Sequence, residues 1–187
     1  MKKHLMIAAA GALTLGVAGQ TAQAGTQTVS IDLEEWAPTE FFSFGDPTSN
    51  PNVTLDLGGG LPVDITGYAL DFEVVAAGDA WMNEFGLGLF DSADVPDGSG
   101  LIISAPDEPP FTAPGTVDFD TEGMVTLEDA FEVTTGILYI EAFDFDPNFP
   151  GLTANGTVTL QYNVIPAPGA LALIGLAGLA GRRRRHQ

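Results

Sequence analysis

The chain has no cysteine, so no disulfide can staple it and no thiol can act as nucleophile or metal ligand. Between Gly25 and Ile165 it also lacks lysine, arginine and histidine, because the six basic residues are Lys2, Lys3 and Arg182 to Arg185 and the two histidines are His4 and His186. All 25 Asp and Glu fall inside that stretch. No side-chain salt bridge can therefore form within it, and zinc or iron sites built on His or Cys are excluded. Acid-base catalysis most often uses histidine, and nucleophilic catalysis needs an activated Ser, Cys or Lys with a base beside it. What remains is a pair of carboxylates, the equipment of a glycosidase. Among 25 acids such a pair arises by chance, so the chain is read as a non-enzyme. A surface of one negative sign also repels phosphate backbones, which excludes nucleic acid as a partner.

What is present is glycine and proline, 23 and 13 residues of 187, with an apolar fraction of 45%. Short strands and many turns follow from that balance. Apolar residues alternate with polar ones at Val29-Ile31-Leu33, Val53-Leu55-Leu57, Tyr68-Leu70-Phe72-Val74 and Val158-Leu160-Tyr162-Val164, which places each set on one face of a strand. Ile137 to Phe145 is apolar on both faces for much of its length, as expected of a central strand. Phe85 to Phe90, Leu101 to Ser104, Thr116 to Phe119 and Met124 to Leu127 are shorter candidates. Glu34 to Pro51 and Ser92 to Pro114 are the poorly patterned stretches and are expected to be long loops. Eight or nine strands without a convincing amphipathic helix predict an all-β fold, an antiparallel β-sandwich of jelly-roll type.

The ends have a different character. Residues 1–24 read as a signal peptide: Lys2, Lys3 and His4, an apolar run from Leu5 to Gly19, then Ala22-Gln23-Ala24 as a small-x-small cleavage site for signal peptidase. Residues 165–187 begin with Pro166-Ala167-Pro168, continue through an Ala/Leu/Gly stretch and end on Arg182, Arg183, Arg184 and Arg185. The prolines stop the preceding strand, the apolar stretch suits a helix that seeks a membrane, and the arginines hold its far end on the cytoplasmic side. From Gly169 to Gly181 that helix would be about 20 Å long at about 1.5 Å per residue, against a hydrocarbon core of about 30 Å. So short a span suits temporary retention better than a permanent anchor.

This tail resembles the PEP-CTERM sorting signal, in which a Pro-Glu-Pro motif precedes a short membrane helix and a basic cluster. Pro166 and Pro168 match the two prolines, Leu171 to Leu179 the helix, and Arg182 to Arg185 the basic end, whereas Ala167 stands where the family has Glu. The resemblance implies transient anchoring in the inner membrane of a Gram-negative-type bacterium, processing by an exosortase-type enzyme, and display at the cell surface or in an extracellular polysaccharide matrix. It says nothing of the fold between, which residues 25–164 must supply.

Within that domain, hard cations are the cofactors that loops of carboxylates suit, Ca2+ above all. Asp118, Asp120, Glu122 and Asp129 nearly follow the spacing of an EF-hand loop, but their flanks read as strands, and Glu122 and Asp129 are unusual types at their positions. Asp91 to Gly98 and Asp144 to Asn148 are further acidic loops, in which turn formation alone accounts for Asp and Asn. Trp36, Trp81 and Phe41-Phe42-Ser43-Phe44 are aromatics that could stack on sugar rings, with core filling the plainer expectation for Trp81. Two functions are consistent with these features: a structural or adhesive component of the cell surface and matrix, and a Ca2+-assisted carbohydrate-binding module of the exopolysaccharide.

Overall fold

A computed structural model describes residues 25–41, 50–92 and 100–166. Among them are nine strands: β1 Thr26–Trp36, β2 Asn52–Asp56, β3 Val63–Ala76, β4 Phe85–Phe90, β5 Gly100–Ser104, β6 Gly115–Asp120, β7 Val125–Val133, β8 Ile137–Asp144 and β9 Leu152–Val164. A single 3-10 turn, Met82–Glu84, precedes β4. The strands form two antiparallel sheets, one ordered β1-β9-β3-β6 with β7 also paired to β3, the other ordered β2-β8-β4-β5. This is an all-β, antiparallel architecture of two sheets. The signal helix expected over 1–24 and the hydrophobic helix expected in the tail lie outside the described residues, and among those described no helix is long and apolar enough to cross a membrane.

Period-two alternation builds the interior. Ile31 and Leu33 from β1, Phe72 and Val74 from β3 and Val158 and Leu160 from β9 are buried on one sheet, and Leu87, Leu89, Leu138 and Ile140 on the other. Phe72 joins the two layers, stacked on Phe119 at 4.6 Å between ring centroids and tilted against Phe85 at 6.1 Å. With about 25 cal/mol for each Å2 of apolar surface removed from water, this shared interior is the main stabilising term, since the chain has no cysteine and the described residues include no Lys, Arg or His to form a side-chain ion pair.

The strand edges differ from the sequence expectation in two informative ways. β6 and β7 both pair with β3, Asp71 to Ala76 facing β6 and Val63 to Tyr68 facing β7, so together they make one edge line broken at 121–124. Within the β7 pairing the register shifts between Ile65 and Gly67, where Gly67 faces Thr126 and Ile65 faces Phe131, and a side chain at Gly67 would press on the Val125 carbonyl, its Cβ 2.6 Å from that oxygen. β7 also extends well past Leu127 to Val133, because Asp129 occupies an inward-parity position and hides the alternation of Leu127, Phe131 and Val133.

The outer face of the second sheet has its own apolar layer. Gly86 and Gly88 of β4 alternate with the core residues Leu87 and Leu89, and the rings of Phe143 and Phe90 lie on the flat surface they leave. A Cβ at Gly86 would sit 2.3 Å from the Phe143 ring, and one at Gly88 2.3 Å from the Phe90 ring. All six residues of β4 are consequently buried.

Candidate functional site

One end of the second sheet gathers the buried polar groups. On β8, Leu138, Ile140 and Ala142 face the core, which gives Asp144 inward parity, while Glu141 shares the outer face with Phe143. Glu141 and Asp144 are both fully buried, and Glu84 at the end of the 3-10 turn and Asn50 before β2 are nearly so.

Asn50 ties the segment after β1 to the sheet. Its Oδ1 accepts the Thr39 and Glu40 amides at 3.0 and 3.1 Å, and its Nδ2 donates to the Glu40 carbonyl at 2.9 Å and to Glu141 Oε1 at 2.7 Å. A hydrogen bond contributes about 0.5–1.5 kcal/mol, so the four made by the Asn50 side chain fix where the segment lies. The Asp144 amide donates to the Glu40 carbonyl at 3.0 Å, which closes the same corner.

Asp144 Oδ1 accepts the Asp146 amide at 2.9 Å, whereas its buried Oδ2 has no hydrogen-bond partner among the described residues. Burial away from water, together with the nearby Glu84 and Asp146 carboxylates, pushes the Asp144 carboxyl up to about 6, against the lowering effect of the Asp146 amide. Glu84 holds the turn closed, its Oε2 accepting the Trp81 amide at 2.8 Å. The Glu84 carbonyl accepts the Phe145 amide at 2.7 Å, so the turn and the end of β8 move as one piece.

Beside this corner lies a pocket of about 510 Å3 lined by Asn83, Glu84, Ser104, Pro106, Asp107 and Phe145. Asn83 Nδ2 donates to Asp107 Oδ1 at 2.9 Å, pinning the 105–114 loop to the turn, and Asn83 Oδ1 is buried with no partner among the described residues. Phe145, 41% exposed, offers an apolar ring at the rim and belongs to a cluster with Phe143 at 4.9 Å and Phe41 at 6.0 Å. Hydroxyl-accepting carboxylates, a serine and one exposed ring suit a small neutral polyol better than an anion. A carboxyl raised toward neutrality can serve as a general acid, but Asp144 is fully buried and does not line the pocket.

The residues singled out for calcium are spread over three elements. Asp118 and Asp120 lie on the outer face of β6, directly opposite Glu73 and Asp71 of β3. Glu122 sits in the break with φ 52°, its amide donating to Asp120 Oδ1 at 2.7 Å, and Asp129 is exposed on β7. Among the described residues no group of three or more His, Cys, Asp or Glu is placed to hold a metal ion. The two cross-strand pairs set acids directly opposite each other, an arrangement that destabilises a sheet.

Of the other expected features, Asp144 is the last residue of β8 rather than a loop residue, yet both it and Asp146 make the expected turn bonds, Asp144 Oδ1 accepting the Asp146 amide at 2.9 Å and Asp146 Oδ1 the Asn148 amide at 3.3 Å. Trp81 is 44% exposed rather than part of the core, because it stands in extended conformation just ahead of the 3-10 turn. Trp36 is half-buried against the core at the end of β1. Pro166 is the last described residue, while Ala22, Ala24, Ala167, Pro168, Arg182, Arg183, Arg184 and Arg185 lie outside the described residues. Asn50, Glu141 and Glu84 were not anticipated as site residues; the legible signal was Glu141, a lone acid inside the apolar run from Ile137 to Phe143. Comparison with known proteins finds no matching family, curated protein or solved structure.

Proposed function

We propose that the chain is an exported bacterial surface or matrix protein with a structural or adhesive role, its mature part a jelly-roll sandwich of one charge sign. The strand order supports the jelly-roll reading, because β1, β3, β6 and β9 share one sheet while β2, β4, β5 and β8 share the other. The observation that carries the functional reading is where the domain stops. β1 starts at Thr26, two residues past the signal cleavage site, and the last tether is the Ile165 amide on the Pro62 carbonyl at 2.8 Å. Both address segments can thus be cut away without removing a described strand or a described core side chain, as sorting through a PEP-CTERM-like tail requires. Transient retention at the inner membrane, then release by an exosortase-type enzyme, would deliver a cation-free acidic domain that stays soluble at the surface. Protease applied to intact cells should degrade the domain, and a domain protected until the cells are lysed would contradict the proposal.

The pocket favours a second reading, a carbohydrate-binding module of the exopolysaccharide, with Phe145 stacking on a sugar face and Asp107 or Ser104 meeting hydroxyls. A glycan array read with and without Ca2+ separates the two. Binding that Phe145→Ala abolishes supports the module, and an array without binding removes it.

A further inference from the structure

Each sheet of a sandwich ends in strands whose outer N-H and C=O groups are open to pairing with another chain, and carboxylates along such an edge discourage it. In the first sheet β1 carries Asp32, Glu34 and Glu35, and strands β6 and β7 carry five acids, Asp118, Asp120, Glu128, Asp129 and Glu132. In the second sheet β2 ends on Asp56. β5, Gly100-Leu101-Ile102-Ile103-Ser104, is the one edge strand among the described residues with no acid, and it has no proline either.

The described residues around Ile102 are apolar as well. Ile102 is 45% exposed and paired with Gly88, on which the Phe90 ring lies. Leu101 and Ile103 are half-buried against the core, held flat by pairing with Leu89 and Leu87. A domain holding 25 carboxylates and no cation repels its own copies over most of its perimeter, and β5 is the stretch where a second copy meets no acid on the approaching strand.

We propose that β5 is a self-association edge: two copies pair β5 against β5, antiparallel about a two-fold axis, so that their four-stranded sheets join into one. Two-fold pairing makes the interface isologous, with Ile102 near Ile102 of the second copy and Gly100 near its Ser104. An edge of five residues is far smaller than the roughly 800 Å2 per partner of a standard stable interface. The pairing is therefore weak between dilute molecules and is populated where many copies share a surface, through their high effective concentration. Salt strengthens it, because screening removes the repulsion between the two acidic bodies while leaving the uncharged contact intact.

A cysteine-free chain makes the test direct. Ile102→Cys in the purified full chain is treated with a short flexible bis-maleimide across a series of NaCl concentrations, beside Thr126→Cys on the exposed β7 edge. The expected result is a covalent dimer from Ile102→Cys that increases with NaCl and a severalfold smaller yield from Thr126→Cys. In parallel, Ile102→Glu should shift the wild-type dimer population to monomer with an unchanged melting temperature. Equal cross-linking at the two positions, none at Ile102→Cys, or a dimer that survives Ile102→Glu would overturn the proposal.

Discussion

Raising the pH from about 4 to about 7 should remove on the order of 2–3 kcal/mol of folding stability through the Asp144 carboxyl, and Asp144→Asn should abolish most of that loss. The carboxyl is pushed up from 3.8 to about 6 in the folded protein, mainly by burial, and one pKa unit corresponds to about 1.4 kcal/mol. Between those two values the folded chain holds a proton that the unfolded chain releases. Its contribution is therefore fully present below the unfolded value, declines as pH rises through the window and is gone above about 6. Asparagine keeps the acceptor for the Asp146 amide and carries no charge, so the variant should melt several degrees higher than wild type at pH 7.5 and show a flatter pH profile. A variant that melts lower at pH 7.5 with the wild-type slope would show that the buried carboxylate is not the strained group.

Phe143→Ala should cost about 3–5 kcal/mol, the usual range for truncating a fully buried aromatic ring. The ring is packed on the bare backbone of Gly86, with Phe145 edge-on at 4.9 Å and Phe41 edge-on at 5.9 Å above it. Gly86→Ala alone should cost about 1–3 kcal/mol, because the new methyl group meets a ring that its covering neighbours prevent from yielding. Once the ring is gone the methyl group has space, so Gly86→Ala in the Phe143→Ala background should cost little. The double-mutant cycle in urea should thus return a coupling of about 0.5–3 kcal/mol, with the two single costs less than additive together. Additive costs would mean that Phe143 does not rest on Gly86.

Strands whose alternation is uninterrupted are readable in the chain before any coordinates. The Val158 to Val164 pattern is the C-terminal half of β9, the Phe85 to Phe90 run is β4 residue for residue, and the doubly apolar run from Ile137 is β8, held between β2 and β4 and ending at Asp144, one residue before Phe145. Patterns fail where a local irregularity inverts the parity. β3 begins at Val63, ahead of the alternation that starts at Tyr68, because the register shift by Gly67 separates the two halves. β1 runs to Trp36 through an irregularity at which Glu35 takes φ 52° and its amide donates to Asn155 Oδ1 at 2.9 Å.

The buried corner was far less legible, and the reason is physical. A carboxylate reads as exposed unless something folds over it, and what covers Glu141 is bound through Asn50, 91 positions earlier in the chain. Asp144, Asp146 and Asn148 look alike in a turn-forming string, yet the first is sealed at the end of a strand while the other two bond each other at the surface. Conversely, Asp118, Asp120, Glu122 and Asp129 look like one cluster along the chain and are separated by the two strands and the turn that carry them.

Export with trimming at both ends is tested most directly by the intact mass of the native protein recovered from the extracellular or cell-surface fraction. A mass that begins at Gly25 and ends ahead of Arg182 is the expected result, since every described strand and core residue lies between those points. A native protein that starts at Met1, or that still carries Arg182 to Arg185 after release from the cell, would contradict it.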